Sequence, residues 1–166
     1  MKIKSTIIND NRKKLDKEIN KWWAIIQNEN IIEKGGTRNY DLKALLKNIE
    51  KLAIERAQTK LDSITINLGF KSRSDFPKES IYPTIYELSE KNEMFTRLGC
   101  IKTIDSKLKA KLGKKKLNKT EELTSDYINK LRNNLQLEIN ALRKKLDEFN
   151  ESHELDISTA YMSLAA

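Results

Sequence analysis

The residues best suited to chemistry in this chain are cations, gathered in two stretches. Phe70-Lys71-Ser72-Arg73-Ser74 sets two cations, two hydroxyls and an aromatic face within five residues. Phosphate and base recognition use such parts: charge-assisted hydrogen bonds to an anion, and a ring to stack on. The second stretch, residues 102–119, carries eight lysines (102, 107, 109, 111, 114, 115, 116, 119) against Asp105, and so holds +7 of the chain's net +8. Charge localised in this way suits an anionic partner. Lysines act as point charges, able to hold phosphates without reading base sequence. Arg97 lies one or two turns earlier on what the periodicity makes the same helix. The candidate ligand contacts are therefore Lys71, Arg73, Arg97, Lys114, Lys115, Lys116 and Lys119. The competing reading makes the first stretch an ordinary polar connection and the second a solvated, lysine-rich loop.

Catalytic chemistry finds little to use. There is one His and one Cys, so a zinc site would need ligands from several subunits. No Glu-x-x-His pair is present for a bundle metal site. A Ser/His/Asp or Cys/His nucleophile would have to use His153, in the C-terminal tail, where it reads as a surface or helix-end residue. Cys100, between Leu98 and Ile101, reads as a buried or half-buried structural thiol. Gly35-Gly36 is a turn and no P-loop accompanies it. The sequence predicts no enzyme, no cofactor and no metal.

The elements that would carry these residues are helices. The 166 residues are 38% hydrophobic, 34% charged and 7% aromatic, with five Gly and two Pro. Long helices with wet outer faces have this balance, and the length suits one domain. Heptad spacing of Ile8, Leu15, Ile19, Trp22 and Ile26 predicts a first helix over about 6–28. Asn39 or Asp41 then caps a second, about 40–68, with Leu42, Leu46, Ile49, Ala53, Ala57, Leu61, Ile64 and Leu68 on its stripe and Gly69 as its stop. Its spacing lies nearer an eleven-residue repeat than a heptad, which predicts a straight or weakly right-handed helix. After a loop containing Pro77, a third helix opens near Ser80 to Pro83 and runs over about 81–112 through Ile81, Ile85, Leu88, Phe95, Leu98, Ile101, Leu108 and Leu112. The fourth, about 124–150, starts at Thr120 or Thr124 and keeps a 3/4 alternation through Ile128, Leu131, Leu135, Ile139, Leu142, Leu146 and Phe149. Residues 151–166 form a tail, with room for a short helix.

These segments predict an all-α fold: long antiparallel helical hairpins or one coiled-coil bundle of about four helices, forming a single domain over 1–150. Trp23, Leu45, Ile54, Ile66 and Leu137 lie off the main stripes and predict a second interface, hence a homo-oligomer. The alternative is that they widen one stripe in a monomeric bundle. The longest apolar run, Trp22 to Ile26, is five residues against about 20 for a membrane span. No apolar h-region follows the basic N-terminus, and a lone Cys fits a reducing cytoplasm. A cytoplasmic protein without membrane partners is the expectation.

Across residues 7–155 the order of features resembles the septicolysin-like family of small bacterial helical proteins. Asn28-Glu29-Asn30-Ile31-Ile32-Glu33-Lys34-Gly35 is similar to that family's asparagine, apolar-Gln/Glu and glycine segment, and Leu45 to Leu52 to its second helix. Ile64-Thr65-Ile66-Asn67 resembles its Ile-Asn-x-Thr-Asn ending without the first Asn. Ile85 to Arg97 resembles a Leu-x-x-x-Leu-x-x-Arg-Asp-x-Leu-x-x-Arg helix; Arg97 matches, while Lys91 and Asn92 replace Arg-Asp. Leu142 to Asn150 is similar to the closing helix, without the family's following Trp. The lysine-rich stretch departs from the pattern. The resemblance implies an elongated helical homo-oligomer. The family name suggests a cytolysin, for which these residues offer no membrane-inserting segment.

The functional expectation is a non-enzymatic, oligomeric binding protein for an anionic, nucleotide-type ligand, of the sequestering kind that a phage or mobile element would use against host defence. The alternatives are non-specific nucleic-acid binding through Lys102 to Lys119, or a structural protein–protein module.

Overall fold

A computed structural model of the chain describes residues 3–104, 107, 110–111 and 117–154. It is mostly helical. Four long helices, α1 (Ser5–Glu29), α2 (Leu42–Asn67), α3 (Tyr82–Gly99) and α4 (Ser125–Ser152), alternate in direction, and two three-residue strands, β1 (Ile31–Glu33) and β2 (Lys119–Glu121), pair antiparallel.

Three of the four helix starts have a local cause, whereas α1 opens after Lys4 without a side-chain cap. Asp41 accepts from the Ala44 amide at the head of α2, and Pro83 occupies the first turn of α3, where Ser80 Oγ accepts from the Tyr82 amide. Thr124 caps α4 by accepting from the Tyr127 amide, whereas Thr120 lies in β2. Thr124→Ala should therefore cost about 1 kcal/mol. Thr120→Ala, at an exposed position, should stay within about 0.5 kcal/mol. Urea unfolding of both variants distinguishes the two sites.

The core gathers at the end of the bundle where α1 stops and α2 starts. Ile19, Trp23 and Ile26 meet Leu42, Leu46 and Ile49 of α2, Leu98 of α3 and Leu123 and Ile128 at the head of α4. The strands close this end. Ile32 pairs with Thr120, and the Lys34 amide donates to the Asn118 carbonyl at 2.7 Å. Arg38 donates to the carbonyls of Glu29, Asn30 and Thr120, and Glu122 accepts from the Leu42 and Lys43 amides. Both hairpin ends are thereby tied to one junction.

Several sequence expectations need correction. Trp23, 1% exposed, is the core tryptophan; Trp22 is half-buried and donates toward Glu18. Leu45 is also core, and Ile66 half-buried, so of the supposed surplus only Ile54 and Leu137 stand fully exposed. Leu68, placed on the stripe of α2, is exposed, and Cys100 is exposed too.

The third helix does not run to residue 112. It stops at Gly99, and the Cys100 and Ile101 amides bond three residues back, to Arg97 and Leu98. Ile101 and Ile104 then turn inward and are buried, and Asn30 accepts the chain by donating to the Lys102 carbonyl. Leu108 and Leu112 lie outside the described residues, as do 155–166 of the supposed tail; Glu151 and Ser152 belong to α4. His153 stands at the helix end, stacked on Phe149 with centroids 3.7 Å apart.

Halfway along the bundle the core turns ionic. Arg56 of α2 is 8% exposed and donates to Glu90 and Glu93 of α3 and to Asp16 of α1. Lys60 adds a second cation to Glu90, 2.7 Å away. Proximity to these carboxylates outweighs the desolvation of Arg56 and holds its pKa above the ordinary value. Beyond this layer the helices run on to the opposite end, where α1 begins and α2 stops.

Candidate functional site

The turn after α2 is built by a helix stop. The Phe70 amide donates to the Thr65 carbonyl and the Gly69 amide to that of Ile66, with Gly69 at φ +83°, the left-handed conformation that closes a helix this way. The chain is thrown back along the last turns of α2. Ser72 then opens a single 3-10 turn, Arg73–Asp75: its hydroxyl accepts from the Ser74 amide while Asp75 accepts from the Ser72 amide at 2.9 Å. Phe70 is steadied edge-on against Phe76, centroids 6.3 Å apart.

A cavity of about 820 Å³ opens between this turn, the last turns of α2 and the start of α1. Ile3, Ile8, Ile66 and Phe70 supply its apolar lining; Ser5, Thr65 and Ser72 supply hydroxyls. Lys71, Arg73 and Asp62 are the charged groups. Arg73 grips Asp62 through Nε and Nη2, both at 2.7 Å, and that hydrogen bonding raises its pKa further. Gln58 also donates to Asp62, at 3.1 Å. Among the described residues Lys71 has no ion-pair partner, so two cations against one carboxylate leave the lining one positive charge.

Lys71 and Arg73 therefore share one cavity. Arg97 does not join them. It donates to Asn20 at 2.7 Å and lies 3.7 Å from Glu93. It sits seven residues beyond Glu90 toward the core end, while Asp62 sits six beyond Arg56 toward the other. At ~1.5 Å per residue the two arginines are roughly 20 Å apart along the bundle. Nor does Arg97 share a continuous helix with the lysine-rich stretch, because α3 stops at Gly99. Lys119 stands exposed on β2, paired across the ladder with Glu33. Lys114, Lys115 and Lys116 lie outside the described residues.

Sequence reasoning missed Asp62, Ile3 and Ile8, which reach the site only through folding; the Asp62-to-Arg73 separation of 11 residues gives no local signal. Among the described residues no group of three or more His, Cys, Asp or Glu is placed to hold a metal ion, and no helix is long and apolar enough to cross a membrane. No protein-family model matches this chain, and neither does any curated protein or solved structure.

Proposed function

We propose that this protein binds, without chemically altering it, a phosphorylated small molecule of nucleotide type in the cavity at the end where α1 begins and α2 stops, and sequesters it as a homo-oligomer. The observation that carries this reading is the convergence of Lys71, Arg73, Ser72 and Phe70 on one cavity of about 820 Å³, within the range of small-molecule sites. An apolar wall with a ring offers stacking to a base, and Lys71 and the hydroxyls offer donors to phosphate. Ile54 and Leu137, exposed on the helical surface, support the homo-oligomer.

The Asp62–Arg73 pair makes the test discriminating. Calorimetry with ATP, a cyclic dinucleotide and inorganic phosphate should show nucleotide binding that Lys71→Ala weakens about 10- to 100-fold, the worth of a charged hydrogen bond. Arg73→Ala should weaken it more, since it also leaves the Asp62 carboxylate facing the anion. Asp62→Asn should tighten binding by releasing Arg73. Affinities untouched by all three substitutions would end this reading.

A second reading rests on the exposed Lys102, Lys111 and Lys119: non-specific binding of nucleic acid. It predicts affinity for duplex DNA that falls steeply with salt and ignores Lys71→Ala. Replacing Lys114, Lys115 and Lys116 together should then flatten the salt slope.

A further inference from the structure

A second cavity, about 370 Å³, lies between α2, α3 and α4. Ala53 and Ala57, one turn apart, leave a notch in α2, and Ile54, 68% exposed, stands on its wall; Leu61, Met94 and Leu135 complete the apolar lining. Glu90, on the same lining, is neutralised by Arg56 and Lys60. The rim is different. Glu50 and Glu87 belong to it, and Lys91 is held by Glu87 at 3.8 Å and by Glu138. Glu50 and Glu87 against Lys91 leave that rim acidic, and Glu138, which does not line the cavity but shares Lys91, brings the local sum to −2 on a chain whose net charge is +8. Its occupant should carry an apolar knob between positive charges.

The outer face of α4 has that form. Leu137, 70% exposed, is the most exposed large hydrophobic residue among those described. Lys130 and Lys144 lie seven residues before and after it, on the same helical face by the 3.6-residue turn. Between them that face carries Asn133, Asn134, Asn140 and Ala141, none charged. Lys144 does touch Glu148 at 3.6 Å, an exposed pair that yields at little cost.

The geometry points to the outer face of α4 of a second copy as the occupant of this groove, with Leu137 seated in the Ala53–Ala57 notch against Ile54 and Lys130 and Lys144 on the acidic rim. Groove against groove is disfavoured, because it would set one acidic rim on another. Two reciprocal contacts, each copy giving its α4 face to the other's groove, would close a symmetric dimer. This inference rests on the homo-oligomer reading above and names its surface.

Light scattering of the full chain after size exclusion, over a range of concentrations, tests it. The expected mass is twice 19.3 kDa. Leu137→Lys and Ile54→Lys should each raise the dissociation constant at least about 30-fold while the helical circular dichroism of the folded chain is kept, since both side chains are exposed. Charge reversal gives the second measurement. Lys130→Glu with Lys144→Glu, or Glu50→Lys with Glu87→Lys, should dissociate the dimer, and all four together should restore it. A wild-type monomer at every concentration overturns the homo-oligomer reading and this surface alike. An oligomer that survives Leu137→Lys and Ile54→Lys overturns this surface alone, as does failure of the four-fold variant to reassociate.

Discussion

Arg56→Ala should cost about 3–5 kcal/mol in urea unfolding, the loss expected when one partner of a buried ion cluster is removed. The reason is what stays behind. Glu90 is only 7% exposed and faces Arg56 through both carboxylate oxygens, while Glu93 and Asp16 approach the same guanidinium from α3 and α1. Without it, three carboxylates face a space in which Lys60 reaches only Glu90 and Arg97, at 3.7 Å, only Glu93. Arg56→Met with Glu90→Leu should recover most of the loss, since packed apolar side chains of similar volume often match or exceed a buried pair. The double variant separates two roles. If Arg56 contributes stability through its charge interactions, recovery is poor. If the layer instead fixes the register of α1, α2 and α3, stability returns while amide exchange along α2 quickens. A single-variant loss under about 1 kcal/mol would show that water reaches the layer and that Arg56 is not held as described.

How much of this was legible in the sequence follows from how local each cause is. The stripe of α4 was readable because Ile128, Leu135, Ile139 and Leu142 face one core along a regular helix. Along α1 a heptad template chose Trp22 over Trp23. The buried residues Ile8 and Ile19 are eleven apart, the spacing of a straight helix, which drifts about 20° per heptad and brings the next position inward. In the lower half of α2 an apolar template could not place Arg56 inside, because the carboxylates that make its burial tolerable come from other helices. The overlong third helix has the same origin. Leu98, Ile101 and Ile104 keep helical spacing in the sequence, yet the stop is set from elsewhere, by Asn30 on the Lys102 carbonyl and Glu121 on the Ile104 amide. Three-residue strands carry too little alternation to be seen. The Lys71–Arg73 turn was visible because its parts are neighbours in the chain, whereas the Asp62 carboxylate that tempers its charge was not.

Asn30→Ala should be comparably damaging, at about 3–5 kcal/mol, despite removing one small polar side chain. Asn30 is fully buried, donates from Nδ2 to the carbonyls of Lys102 at 2.8 Å and Leu123 at 2.9 Å, and accepts from the Leu123 amide at 2.7 Å. It thus joins the end of α1 to the chain leaving α3 and to the chain entering α4. Truncation leaves three backbone groups without that partner, each costing about 1–3 kcal/mol where water cannot replace it. The loss should be read first as faster hydrogen exchange at the Leu123 amide. Asn30→Asp gives the sharper readout. A carboxylate there could still accept from Leu123 but would face two carbonyl oxygens with no proton to donate, so burial and those dipoles would raise its pKa above the unfolded value. The folded state then binds more protons than the unfolded one, and stability must rise as pH falls from 7 toward 4, opposite in sign to the usual carboxylate. A difference in stability between wild type and Asn30→Asp that stays flat across that window would mean that Asn30 is wetter than its contacts imply, and that the junction closing the core end is held by the strand ladder and Arg38 instead.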